Sequence, residues 1–141
     1  MKDALIGALS LAAIVLVAAA IDFAASWLPG SSEAAFVEAP AGLLGWSAML
    51  LSSATTGYME ETFFRAYMLT RLKEYGASRI AGVVASVVLF TVCHLYEGPL
   101  GLANAAFAGL VLSVAYLRSR SVHGPAWAHA AYNTLVFATG Q

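Results

Sequence analysis

The sequence predicts an all-α membrane protein, a polytopic bundle of about five transmembrane helices with its N-terminus inside and its C-terminus outside. Of the 141 residues, 60% are hydrophobic and only 11% are charged. The mean hydropathy of +0.77 is far above that of a soluble globular domain. Five apolar stretches approach the length that crosses a bilayer, and the basic residues fall in alternate connections between them.

Each apolar stretch ends at residues that break helices. The predicted spans cover residues 4–28, 43–72, 80–95, 100–117 and 122–139. The connections between them contain Pro29, Gly30 and Pro40, then KEYG at 73–76, then Gly98-Pro99, then RSRS at 118–121. The third and fifth spans are short, so they could be tilted or re-entrant.

The first span begins as a secretory signal peptide does, with Lys2 ahead of an apolar run. Asp3 beside that lysine and the length of the run instead favour a helix that stays in the membrane. We therefore assign residues 1–30 to an N-terminal transmembrane helix and residues 41–141 to the core of the protein.

The positions of the basic residues predict the orientation. They are Lys2 before the first span, Arg71, Lys73 and Arg79 between the second and third, and Arg118 and Arg120 between the fourth and fifth. The other two connections hold acidic residues and no basic one. Because lysine and arginine concentrate on the cytoplasmic side, five crossings place the N-terminus inside. We predict a multi-pass protein of the cell (cytoplasmic) membrane.

Composition excludes two other properties. The sequence has no basic stripe that could meet phosphates, so nucleic-acid binding is excluded. The single cysteine, Cys93, has no partner for an internal disulfide. Its place inside an apolar run predicts a buried, unreactive thiol.

Three predicted spans carry side chains that are costly inside a membrane, and such residues usually mark function. They are Glu60, Glu61, Arg65, His94, His129 and Asn133. Asp22 lies near the outer end of the first span, from which it can reach the interface, so we set it aside. The chemistry of the protein is therefore expected on the second, third and fifth spans.

Helical spacing predicts how these groups are arranged. Glu61 and Arg65 stand four residues apart on one face and can pair. Glu60 is rotated by about 100° from Glu61, so it can face a cavity instead. The structural alternatives are a buried ion pair for Glu61 and Arg65, an interfacial side chain for His94, and helix–helix hydrogen bonds for His129 and Asn133.

Three short motifs carry these residues. EETFFR at 60–65 matches the pattern EExxxR, FTVCH at 90–94 matches FxxxH, and HAAYN at 129–133 matches HxxxN. In this order on membrane helices, they resemble the CPBP family of intramembrane proteases. That family contains the CAAX prenyl endopeptidases and the bacteriocin-processing or immunity (Abi) proteins. The resemblance runs from Leu43 onward and identifies residues 41–141 as a CPBP/Abi-like catalytic core.

The resemblance implies a role for each motif residue, without a metal or other cofactor. Glu60 would be the general base that activates water, helped by His94. His129 and Asn133 would form the oxyanion hole, which agrees with the need for fixed donors where negative charge develops. Glu61 and Arg65 would support the site. Many relatives have a glycine shortly after the motif arginine, where this chain has Ala66 and Tyr67.

Several alternatives stay open at this point. Glu60, His94 and His129 also form a His₂Glu set of the kind that holds catalytic zinc, although no HExxH motif is present. On straight helices His94 lies nearer the outside than Glu60 and His129. A tilt, a third helix that begins before Ile80 or a break near Gly57 would bring them level.

The function predicted from these residues is that of an intramembrane endopeptidase. Its partners would be the lipid bilayer and a membrane-anchored, lipidated (CAAX-like) or hydrophobic peptide substrate. The alternative is a non-catalytic membrane scaffold, immunity factor or accessory subunit, and a proton-relay or transport protein is a third possibility. Many relatives carry more helices before the core, so a second copy (a homo-oligomer) or a partner membrane protein could complete the cavity.

Overall fold

The described chain is entirely helical, as predicted. The computed structural model describes residues 1–27 and 39–139, and these ranges contain no strand. The helices are α1 (Lys2–Ala25), α2 (Gly42–Glu61), α3 (Met68–Glu74), α4 (Arg79–Cys93), α5 (Gly98–Ser119) and α6 (His123–Thr139). A π-helical turn (Thr62–Tyr67) joins α2 to α3 in one continuous rod, and a 3₁₀ turn (Leu95–Glu97) precedes α5. Five rods therefore stand where five spans are predicted.

Two of the described helices are long and apolar enough to cross a membrane. Lys2–Ala25 has a mean hydropathy of 2.7 and Leu95–Ser119 of 1.8, whereas the apolar α4 is shorter. Large apolar side chains point outward, among them Leu43 and Ile80, which are 86% and 78% exposed. An apolar exterior of this kind marks a surface that meets lipid or another protein. The side of the membrane that each terminus faces stays a prediction.

Two of the three regions that the basic residues place on the inner side lie together. The Ser121 hydroxyl donates to Asp3 Oδ2 at 3.2 Å, which joins the α5–α6 connection to the start of α1. The predicted connection around Pro29 and Gly30 lies outside the described residues. The predicted break at Gly98-Pro99 is instead the start of α5, because proline is well suited to the first turn of a helix.

Small residues let α6 pack closely between α1 and α2. A Cβ at Gly7 of α1 would lie 3.0 Å from the carbonyl oxygen of Gly124 on α6. A Cβ at Gly57 of α2 would lie 2.8 Å from the carbonyl oxygen of Ala126 and 3.0 Å from the amide nitrogen of Ala130. Close backbone approach through small residues is typical of helix packing in membranes. It holds α6, and the third motif with it, against the helix that carries the first motif.

The turn between α3 and α4 needs a particular residue. Gly76 has φ of +85°, a conformation that residues with a Cβ rarely adopt. The Ser78 hydroxyl then caps α4 by accepting a hydrogen bond from the Ala81 amide at 3.2 Å. At the other end of α4 the prediction of a buried thiol is wrong, because Cys93 is exposed. An apolar run in a membrane helix does not distinguish its inward face from its outward one.

Candidate active site

The residues singled out in the sequence gather around one cavity. Glu60, His94, His129 and Asn133 all line it, and its volume is about 410 Å³. Its walls come from α1, α2, the 3₁₀ turn, α5 and α6. The geometry therefore brings together side chains of three motifs that lie far apart in the sequence.

Several cavity residues were missed by the sequence analysis. The polar ones are Asp22, Ser52, Ser53, Thr56, Tyr96, Glu97, Asn104 and Tyr132. Asp22 had been set aside as interfacial, yet α1 supplies a wall of the cavity through it and its neighbours Ala18 and Ile21. Asn104 is an amide within a predicted span, a signal that could have been used. Tyr132 stands three residues after His129 and so shares its face of α6.

The structure confirms the predicted pair of Glu61 and Arg65. Arg65 Nη1 lies 2.9 Å from Glu61 Oε1, and both side chains are completely buried. Arg65 Nη2 also donates to the carbonyl oxygen of Gly109 at 3.2 Å, and the guanidinium lies 4.4 Å from the centre of the Phe90 ring. A Cβ at position 109 would lie 3.2 Å from Phe90 Cδ1, a tight contact, which favours glycine there. This cluster ties α2, α4 and α5 together behind the cavity.

The π-helical turn places Arg65 in this cluster. It follows Glu61 directly, and the Ser86 hydroxyl on α4 donates to the Phe64 carbonyl within it at 2.9 Å. Phe64, Met68 and Phe90 are buried against one another on its inner side. Turns of this type often occur at functional sites, where they redirect side chains relative to a regular helix.

Glu61 also holds His129, the histidine of the third motif. His129 Nδ1 lies 3.0 Å from Glu61 Oε1. Because a carboxylate can only accept, Nδ1 carries the proton of this hydrogen bond. The other ring nitrogen, Nε2, lies 3.8 Å from Glu60 Oε2. Arg65, Glu61 and His129 thus form a buried chain of contacts that fixes the imidazole at the cavity wall.

Glu60 faces the cavity, as predicted from its rotation relative to Glu61. Its Oε2 is buried and has no hydrogen-bond partner among the described residues. The side chain as a whole keeps 22% of its surface exposed. A buried carboxylate oxygen without a partner requires an explanation, because such atoms are normally satisfied. A water or substrate in the cavity would satisfy it.

His94 presents one nitrogen to the cavity. Its Nδ1 donates to the Phe90 carbonyl at 2.7 Å, since that oxygen can only accept. In the neutral ring Nε2 then keeps a free lone pair. The imidazole is therefore oriented as an acceptor, which suits a group that receives or orients a proton.

The question of depth is resolved without a break near Gly57. Glu60 lies 14 positions before Glu74, the end of α3, and His94 lies 15 positions after Arg79, the start of α4. At 1.5 Å per residue these lengths are about 21 Å and 22.5 Å from the α3–α4 turn, which agrees with the finding that both residues line one cavity. His129 on α6 lies at the same level, because its Nδ1 is 3.0 Å from Oε1 of Glu61, the neighbour of Glu60.

The donor set for a metal is less complete than the sequence suggested. Within residues 1–27 and 39–139, no three side chains of His, Cys, Asp and Glu are grouped so that they could hold a metal ion. The Nδ1 atoms of His94 and His129 already make hydrogen bonds, so each ring could offer only Nε2 as a ligand.

Comparison with known proteins bears on all three motifs. Residues 40–135 match the family described as type II CAAX prenyl endopeptidase Rce1-like. The matched region contains all three motifs and leaves α1 outside. No curated protein and no solved structure shows significant similarity to the chain. Since the match covers more than half of its length, the chain belongs to the Rce1-like family of type II CAAX prenyl endopeptidases.

Proposed function

We propose that the protein is an intramembrane endopeptidase in which Glu60 activates water for attack on a peptide bond. The observation that supports this most strongly is the Glu60 carboxylate. It lines a cavity, keeps a buried oxygen without a hydrogen-bond partner among the described residues, and shares the cavity with two imidazoles and the Asn133 amide. A base, a helper and two donors are the groups that peptide hydrolysis requires.

The proposed reaction begins and ends with a proton transfer at Glu60. Glu60 takes a proton from water while His94 Nε2 accepts a hydrogen bond from the same water. The resulting hydroxide attacks the peptide carbonyl and forms a tetrahedral oxyanion. When that intermediate collapses, the carbon–nitrogen bond breaks and the proton on Glu60 passes to the leaving amine.

The oxyanion would be stabilised from α6. The Asn133 amide is a donor, and His129 is a second one when its ring is doubly protonated, with Nδ1–H on Glu61 and Nε2–H toward the cavity. Donors that are held in place before the reaction stabilise the charge that develops in the transition state. The buried Arg65–Glu61 pair supports this role, because it fixes the His129 ring.

We propose a membrane-anchored, lipidated (CAAX-like) or hydrophobic peptide as the substrate. The cavity combines the polar groups above with apolar wall residues such as Ile21, Leu100, Val136 and Phe137. The helices around it have an apolar exterior, which a substrate anchored in the same bilayer could approach from the side. The family match supports the choice of a CAAX-like peptide, and the cell membrane is the proposed location.

A cleavage assay tests this proposal. The protein in liposomes is incubated with a library of farnesylated and unmodified membrane-tethered peptides, and the products are identified by mass spectrometry. We expect a single cut near the lipidated residue, unaffected by EDTA and absent from a matched Glu60→Ala preparation. If folded wild-type protein cleaves nothing, the protease is refuted and the non-catalytic scaffold is favoured. If EDTA abolishes cleavage and zinc restores it, the metal-free mechanism is wrong.

A further inference from the structure

Two polar side chains in the cavity are not used by the proposed reaction. Asn104 on α5 donates from Nδ2 to the hydroxyl oxygen of Tyr132 on α6 at 2.7 Å. Both residues line the cavity together with Glu60 and His129. The bond joins two helices, so it fixes the hydroxyl relative to the rest of the cavity wall.

The position of Tyr132 follows from the helix that carries it. It lies three residues after His129 and one before Asn133, so the three side chains point to the same side of α6. The tyrosine is the longest of the three and reaches across to α5. Its ring packs against the core cluster that contains Ile14 and Leu112. The hydroxyl is therefore held on the same side of α6 as the two proposed oxyanion donors.

Two polar groups of this pair can form further hydrogen bonds. Because the Tyr132 oxygen accepts from Asn104, its own proton is free to be donated, and no hydrogen bond within residues 1–27 and 39–139 uses it. Asn104 Oδ1 is buried and also lacks a partner in the described part of the chain. The half-buried Tyr132 lines the cavity, so an acceptor group of a bound ligand can take the proton of its hydroxyl.

We propose that the Tyr132 hydroxyl donates a hydrogen bond to a backbone carbonyl of the peptide substrate next to the scissile bond. Asn104 is the positioning residue, because it holds the hydroxyl from α5. The inference rests on the proposed function, since it assumes that a peptide occupies the cavity. It assigns to the tyrosine within the HAAYN motif a role in substrate binding that is separate from oxyanion stabilisation.

Equilibrium binding tests the inference independently of catalysis. The full chain carrying Glu60→Gln is titrated in detergent against a fluorescein-labelled, farnesylated CAAX-type peptide, and fluorescence anisotropy gives Kd. We expect Tyr132→Phe, which keeps the ring and removes the hydroxyl, to raise Kd about 3- to 10-fold, the usual effect of one hydrogen bond. Asn104→Leu should raise Kd as well, and the double variant should bind no more weakly than Tyr132→Phe alone.

The control removes a comparable hydroxyl elsewhere. Tyr58 also hydrogen-bonds across helices, to His123 at 3.0 Å, but it does not line the cavity, so Tyr58→Phe should leave Kd unchanged. An unchanged Kd in folded Tyr132→Phe overturns the proposal. So does a loss of affinity in Tyr58→Phe equal to that in Tyr132→Phe, since both would then act through structure.

A substrate analogue covers the case in which Tyr132→Phe does not fold. The amide carbonyl next to the scissile bond is replaced by a methylene, and this peptide should bind the Tyr132 protein about 3- to 10-fold more weakly than the parent peptide. Equal binding of the two peptides overturns the proposal. Peptide binding without cleavage by wild-type protein refutes the protease and leaves this subsite standing, so the two failures are distinguishable.

In active protein the same change should appear in KM rather than in kcat. A group that binds substrate and transition state equally lowers KM and leaves kcat unchanged. Tyr132→Phe is therefore expected to raise KM by the factor measured for Kd. A fall in kcat with an unchanged KM contradicts the inference, because it would place the hydroxyl on the oxyanion instead.

Discussion

Replacing Gly57 by alanine should disable the active site although residue 57 carries no reactive group. The glycine lies where α2 crosses α6. A Cβ there would be 2.8 Å from the Ala126 carbonyl oxygen and 3.0 Å from the Ala130 amide nitrogen, and both neighbours are backbone atoms that cannot rotate away. The substitution therefore forces the two helices apart.

The size of the displacement follows from the contact. Ordinary Cβ contacts begin at 3.4 Å, so relief of the 2.8 Å contact requires the helices to separate by about 0.6 Å. His129 lies on α6 between the two contacted residues, and its 3.0 Å hydrogen bond to Glu61 would stretch to a length at which it no longer counts as one. Since misplacement of this order at a catalytic group costs about 10- to 100-fold in rate, we expect a fall of that size in kcat/KM.

Gly82 provides a matched control. It is also a buried helical glycine, but a Cβ there would lie 3.7 Å from Leu69 Cδ2 and 4.0 Å from Leu72 Cβ, both ordinary contacts. Gly82→Ala should keep wild-type activity, and its Tm should not fall because alanine favours the helix. The assay is cleavage of a fluorogenic farnesylated peptide in liposomes, with Tm measured for both variants. If Gly57→Ala is as active as Gly82→Ala, the proposed coupling of helix spacing to the site is refuted.

Three further predictions concern the buried cluster and the reacting groups. Arg65→Lys keeps the charge but cannot bind both Glu61 and the Gly109 carbonyl, so it should lower the free energy of unfolding by about 1–3 kcal/mol in thermal denaturation. The control Arg71→Lys, at an exposed position, should leave Tm unchanged. An equal drop in Tm in both variants would contradict the role of burial. Asn133→Ala should lower kcat about 10²- to 10³-fold with little change in KM, and an effect confined to KM would remove Asn133 from the oxyanion hole. EDTA should leave kcat/KM unchanged, whereas loss of activity and its recovery with zinc would assign Glu60 to a metal site.

Much of the site could be predicted because it depends on spacings within single helices. A spacing of four residues on a helix predicts the contact between Glu61 and Arg65, and the rotation of 100° between adjacent residues predicts that Glu60 faces elsewhere. The cost of ionisable groups in a membrane also predicts that His94 and His129 are functional residues. The boundaries of the five rods follow in the same way from apolar length and from turn residues.

The remaining features depend on contacts between helices that are distant in sequence. The π-helical turn after Glu61 fits the contact between Ser86 and the Phe64 carbonyl, which no local pattern reveals. Asp22 was set aside because its depth was judged on α1 alone, whereas the packing of α1 against α5 and α6 brings it to the cavity. Asn104 likewise becomes informative only when Tyr132 is seen beside it.

The central claim is that Glu60 is the base that activates water, and the rate of cleavage by Glu60→Gln tests it most directly. The substitution keeps the size of the side chain and removes the carboxylate, and the exposed Glu74→Gln serves as the control. We predict that kcat falls at least about 10²-fold in Glu60→Gln, the scale of general-base catalysis, and is unchanged in Glu74→Gln. A Glu60→Gln protein that cleaves the same peptide at close to the wild-type rate would contradict the mechanism.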